Sequence, residues 1–309
     1  MTIHTFLLST LMIFITTSNL LIAQEDEFEE LDSELFATDT TIDSAPVRDI
    51  FNSTRIINGH STETLGKKVM EFRVEHRFGD IAGAAGGVQQ MFGFDNIADI
   101  RLALEYGITD NLMIGFGRSK GSGAPYRSLV DLFMKYRFID QRKGGSPVSV
   151  SALGLMTFTY MKASTDSTQI TFFPKFIHRL SYASQLNISR KFHDRLSLAL
   201  IPTVVHQNYV DGNNQNTLFS LGGGARIGVT GTFGILLEYY HCFSSNAIRQ
   251  DFTNSLSVAA EFITFGHNFT LFFSNARGLG ETQFITNTTS DWLKGQFRFG
   301  FAVGRKFEY

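Results

Sequence analysis

The sequence predicts an all-β fold: a transmembrane antiparallel up-and-down β-barrel of about twelve strands, both termini in the periplasm. Three observations predict it. Apolar and polar residues alternate with a period of two from residue 67 onward. Short and long connections alternate between those stretches. The chain also ends on an aromatic ladder, with Phe297, Phe299, Phe301, Val303, Phe307 and the terminal Tyr309 on one face.

The 309 residues suffice for one large domain or two modest ones. Aromatic residues reach 13%, with 31 Phe and only 5 Pro, a mix that suits pleated strands. The single cysteine, Cys242, excludes an internal disulfide and a cysteine-rich metal site. It also excludes a lipoprotein, because no cysteine lies near the N-terminus.

Residues 1–23 read as a secretory signal peptide, apolar through Phe6-Leu7-Leu8 and Leu11-Met12-Ile13-Phe14-Ile15. A membrane anchor is the competing reading, but Thr10, Thr16, Thr17, Ser18 and Asn19 interrupt the run too often. An acidic periplasmic segment, 24–66, follows. Between Glu25 and Asp43 it holds nine acids and no base, leaving 20 acids against 27 bases in the remainder. The default for this tail is a solvated, mobile segment. The sharper expectation is that it plugs the basic periplasmic mouth or docks a periplasmic partner.

The barrel itself is assigned to 67–309. On its first strand Met70, Phe72, Val74, His76 and Phe78 alternate with Val69, Glu71, Arg73, Glu75 and Arg77. Ile100, Leu102, Leu104 and Tyr106 then alternate with Asp99, Arg101, Ala103 and Glu105. Leu112, Ile114 and Phe116 form a third run; Val130, Leu132, Met134, Tyr136 and Phe138, facing away from Asp131, Lys135 and Arg137, form a fourth. Further strands are expected near 147–161, 171–189, 195–209, 217–230, 233–244, 254–264, 267–276 and 295–309. Each can supply the roughly 9–11 residues that a tilted membrane strand needs. Tyr106, Tyr136, Phe138, Tyr160, Tyr239 and Trp292 fall near strand ends, where aromatic girdles belong.

In a membrane barrel the apolar face meets lipid and the polar face lines the lumen. The expected lumen residues are therefore Arg73, Glu75, Asp99, Arg101, Glu105, Asp131, Lys135, Arg137, Arg226, Glu238, Glu261 and Arg298, with Glu71, Arg77, Lys175 and Arg179. Their mixed signs fit a web of paired charges that stiffens a narrow interior; a pathway selective for anions is the sharper alternative. Phe301, Val303, Phe307 and Tyr309 resemble the C-terminal signal read by the barrel assembly machinery, with Arg305 interrupting the ladder.

Other chemistry finds little support. His76, His206 and His241 fall at outer strand ends, but none of the eight histidines has a Ser two positions on, as a lipid hydrolase site would suggest. They read as interfacial polar residues. No metal-binding motif, and no basic stripe for nucleic acid, is present. The glycine-rich stretch 79–93 precedes a strand and lacks a following Lys-Ser/Thr, so it reads as an outer loop rather than a phosphate cradle. No catalytic residue, metal or cofactor is assigned.

The stretch Phe92-Gly93, Asp99-Ile100-Arg101-Leu102 and Glu105-Tyr106-Gly107-Ile108-Thr109-Asp110 resembles a family of uncharacterised outer-membrane β-barrel proteins from Gram-negative, Bacteroidota-type bacteria. So do Ile114-Gly115-Phe116-Gly117-Arg118, Lys135-Tyr136-Arg137 and the end, Phe297-Arg298-Phe299-Gly300-Phe301 to Gly304-Arg305-Lys306-Phe307. The resemblance covers roughly 55–309 and implies the fold, with no activity to carry over. The leading functional expectation is a passive channel for small, anionic solutes. The alternatives are a closed structural, adhesion or partner-docking barrel, and an outer-membrane lipid-modifying enzyme. Lipid and the assembly machinery are the expected partners.

Overall fold

The computed structural model describes residues 45–96, 99–121, 127–169, 171–210, 215–244 and 251–309. The signal peptide and the acidic stretch up to residue 44 lie outside the described residues. Among the described residues twelve antiparallel strands close into a barrel in simple up-and-down order, with β1 paired to both β2 and β12.

The strands are β1 (Val69–Asp80), β2 (Asp99–Gly107), β3 (Leu112–Lys120), β4 (Ser128–Ile139), β5 (Ser149–Thr159) and β6 (Leu180–His193). The second half holds β7 (Leu196–Gln207), β8 (Thr217–Gly228), β9 (Phe233–Phe243), β10 (Ser255–Thr264), β11 (His267–Ser274) and β12 (Arg298–Glu308). Burial follows the period-two pattern with the polarity reversed from that of a water-soluble protein. On β2, Ile100, Leu102, Leu104 and Tyr106 are exposed, while Asp99, Arg101, Ala103 and Glu105 are buried. An exposed apolar wall of this kind is stable only against lipid. No helix among the described residues is long and apolar enough to cross a membrane, so any crossing that those residues make is by strands.

The connections sort onto two ends. The near end carries the chain termini of the barrel and the turns after β2, β4, β6, β8 and β10; the far end carries the other six connections. Length separates the two sets except at 140–148, which is also as long as the far-end connection 208–216. The near-end connection 140–148 outruns the far-end connection 121–127, because β3 extends to Lys120 and Arg142 forms a bridge with Pro46. A second departure is at β6, which starts at Leu180 rather than near 171. Pro174 lacks the N–H that a ladder requires there. Lys175 is accordingly exposed, and half-buried Arg179 caps the neighbouring connection through Thr159 O (3.1 Å) and Met161 O (2.6 Å). Neither belongs to the inner wall.

Candidate functional site

The interior is where the chain concentrates its chemistry, and it is occupied by the chain itself. Residues 45–66, placed by the sequence in a segment ahead of the barrel, run into its interior as a hairpin. Val47 N donates to Gln141 O at the near rim (2.8 Å). The chain then descends, turns at Ile56 to Gly59 (Ile56 N to Gly59 O, 2.9 Å) and returns (Ser61 N to Thr54 O, 3.0 Å). Thr64 Oγ1 donates to Asp110 O and Lys67 N to Asp110 Oδ1, back at the near rim.

Glu238, on the inner face of β9, holds the hairpin tip. Its two carboxyl oxygens accept from the N–H groups of Ile57 (3.0 Å), Asn58 (3.0 Å) and Gly59 (3.0 Å), and from Asn58 Nδ2 (2.8 Å). A turn leaves its own N–H groups without partners, so an inward acid is the natural receptor for them. Lys135 on β4 plays the converse part, donating to Thr54 O (2.9 Å) and Ser61 O (3.2 Å).

From the far end the connection between β11 and β12 folds inward. It forms a one-turn helix, α1 (Glu281–Phe284), whose four residues are all buried. Gln207 Nε2 donates to Thr282 O (3.1 Å), tying it to β7. The hairpin and this connection meet inside. Arg55 Nη1 lies 3.4 Å from Glu281 Oε1. Arg77 on β1 donates to Asn58 Oδ1 of the hairpin and to Ala276 O and Gly278 O of the connection. Phe284 packs edge-on against Tyr240, with centroids 5.1 Å apart.

These contacts surround one apolar core. Ile50, Phe51, Ile56, Ile57 and Leu65 of the hairpin share a buried cluster with Met113, Phe133, Leu153 and Phe272 of the wall and with Phe284 and Ile285 of the inward connection. Burying five large hairpin side chains is worth roughly 2 kcal/mol each, about 10 kcal/mol together.

Apart from Lys175 and Arg179, the predicted lumen residues fall on the inward face, and most join the charge web. Arg101 binds Asp131 through Nε–Oδ1 (3.0 Å) and Nη2–Oδ2 (2.6 Å), and reaches Glu75 Oε2 (3.2 Å). Glu75 also accepts from Arg73 (2.8 Å) and lies 3.6 Å from Arg55, whose Nε is 3.9 Å from Glu105. Arg226 pairs with Glu261 (2.9 Å), and Arg298 with Asp80. Asp99 meets Arg277 at 3.2 Å. Nearer the rim, Arg137 bridges Glu63 (3.2 Å) and Asp140 (3.0 Å). Burial and nearby Asp49 push the Glu63 carboxyl up to about 7, partly offset by the Ile50 N–H. Burial, with several surrounding cations, pushes His60 well below its usual value.

The remaining candidates sit elsewhere. Phe301, Val303, Phe307 and Tyr309 lie on the partly exposed or exposed face of β12 and its end. His206 contacts Thr217 Oγ1 (2.8 Å) and Asn208 Oδ1 (3.1 Å), His241 contacts Asn254 (3.1 Å), and His76 stacks on Phe301. Cys242 is buried on the inner face of β9. Among the described residues no cluster of His, Cys, Asp and Glu could hold a metal ion. Glu238 and Lys135 are expected lumen residues, but their part as receptors for the hairpin, and the inward turn of the last connection, carry no motif in the sequence.

Residues 51–307 match the family described as a membrane bound beta barrel domain (DUF5777). The chain belongs to that family. No curated protein matches it. Among solved structures, the chain is similar to the KdgM porin, with a TM-score of 0.44 and 10% identity over 78% of this chain and 99% of that one. It is also similar to the Acinetobacter baumannii outer membrane protein Omp33, with a TM-score of 0.41 and 10% identity over 78% and 99%.

Proposed function

We propose that this protein is an outer-membrane barrel closed at rest, with its near end in the periplasm and its work done at its two mouths. The observation that carries this reading is the shared apolar core of hairpin, wall and inward connection. Water-filled lumens are polar throughout; a lumen with about 10 kcal/mol of buried hairpin side chains is built to stay filled. Export by the segment 1–23, and assembly through Phe301, Val303, Phe307 and Tyr309, belong to the same reading.

A second reading, a channel for small solutes opened by withdrawal of the hairpin, is favoured by one observation. The hairpin is held by hydrogen bonds that Glu238 accepts and Lys135 donates, and water would satisfy both wall residues once the tip left. Arg73, Arg101 and Arg137 would then bias the pathway toward anions.

Planar-bilayer recording separates the two. The intact protein, its folding checked by heat-modifiable gel mobility, is expected to be silent. Steady conductance from it would overturn the closed reading. Discrete, anion-preferring steps that appear only when Glu238→Ala loosens the tip would establish the channel, and silence from both proteins would remove it.

A further inference from the structure

We propose that the connection between β1 and β2 is a membrane-interface anchor, an apolar foot that rests in the lipid at the far rim. The inference needs the barrel to sit in a membrane and is independent of whether the barrel conducts. From Ile81 to Phe94 the sequence contains no charged residue. The whole connection, 81–98, holds a single charge, Asp95, whereas the other long far-end connections carry several: Lys162, Asp166 and Lys175 lie in one, and Arg277, Asp291 and Lys294 in another.

The connection is folded rather than loose. Gly87 N donates to Ile81 O (2.9 Å) and Phe92 N to Gly87 O (2.8 Å), and Val88–Gly93 forms two tight turns that meet at a kink over Gln90, Met91 and Phe92. That fold turns apolar side chains outward: Val88 is 79% exposed and Met91 63%, and Phe92 is exposed beside them. Met91 and Phe92 adopt φ of 45° and 54° to do so. Bulky residues avoid this left-handed region because the side chain crowds the backbone there. Water offers no return for holding a Phe strained and exposed. Lipid does.

The position of the foot identifies its occupant. Phe94 packs against Phe78 (4.9 Å between centroids) and Phe299 (5.9 Å), both on the outer, lipid-facing side of β1 and β12. The foot is therefore continuous with the lipid-facing band rather than perched above it. Backbone bonds from Ile81 N to Phe297 O (2.8 Å) and from Ala82 N to Gly295 O (3.1 Å) join it to the adjacent turn, where Leu293 is 97% exposed. An apolar surface that starts in the band and carries no charge suits the headgroup–acyl boundary, as amphipathic anchors do.

The test places a reporter on the foot of the full chain. Trp292→Phe removes the native fluorophore and Phe92→Trp installs one. The protein is reconstituted in phosphatidylcholine vesicles with brominated or unbrominated acyl chains. The expected result is blue-shifted emission that loses intensity in the brominated vesicles and resists aqueous iodide. Red-shifted emission quenched by iodide and indifferent to bromine would overturn the proposal. So would emission that depends on the protein-to-lipid ratio but not on bromine, which would indicate contact with a second copy. If the double variant fails the gel-mobility check, Gln89→Cys carrying a nitroxide makes the same distinction, since Cys242 is buried. Greater accessibility to oxygen than to a water-soluble nickel complex supports the anchor, and the reverse overturns it.

Discussion

Glu238→Ala tests how the interior is closed. The substitution removes the acceptor for three backbone N–H groups at the hairpin tip, Ile57, Asn58 and Gly59, and for the Asn58 amide. A hydrogen bond to a charged or strongly polar acceptor is worth about 1.5 kcal/mol, so three lost together cost about 4–5 kcal/mol, with the donors left buried. That raises the opening equilibrium of the tip roughly a thousandfold, at 1.4 kcal/mol per decade. Hydrogen exchange followed by mass spectrometry, on protein in lipid nanodiscs, reads this directly in peptides covering residues 50–62. The amides of β9 itself should keep their protection, since its ladder to β8 and β10 is untouched. Glu238→Gln, which retains one acceptor oxygen, should fall between the two. Unchanged exchange at 57–59 in the Ala variant would refute the reasoning and assign the tip to apolar packing alone.

Three further outcomes are expected. Arg55→Met leaves Glu75, Glu105 and Glu281 short of a shared cation, and should lower stability by about 3–5 kcal/mol, read as a lower urea midpoint. Glu63 has a folded-state pKa raised to about 7, so its protonated form favours the folded hairpin: stability is fullest below the ordinary carboxyl value of 4.5 and is lost as pH rises through 7. The gel-shift temperature should therefore fall between pH 5 and pH 8, and Glu63→Gln should flatten the slope; a rising slope would mean that the Arg137 pair at 3.2 Å dominates. Leu104→Arg, on the exposed face of β2, should cost about 2–4 kcal/mol in refolding into vesicles, since it sets a charge against lipid.

The wall was legible in the sequence because each strand has two unlike faces. Leu102 and Leu104 against Arg101 and Glu105 report both the strand and its inside. The hairpin has no such contrast. Ile50-Phe51 and Ile56-Ile57 are enclosed on all sides, so no period of two or of 3.6 develops, and the segment reads as the end of the periplasmic stretch 24–66. Its one signal was the pair of apolar doublets in a stretch less acidic than the tail before it. The inward connection was hidden for a similar reason: its length was visible, while the direction of its fold depends on partners such as Gln207 and Tyr240 from distant strands. Lys175 and Arg179 were misplaced because alternation continues past Pro174, where pairing cannot.

The hairpin also constrains the order of assembly. Only the turn at Gly66-Lys67-Lys68, closed by Val69 N donating to Gly66 O, separates buried Leu65 from the start of β1. The first strand is one side of the seam that closes the cylinder against β12. A hairpin tethered so tightly to the seam strand is best placed while that seam is still open, with the wall zipping shut around it. Closure would then be the step that traps the segment, and the hairpin would serve as the mandrel on which the last strand is laid.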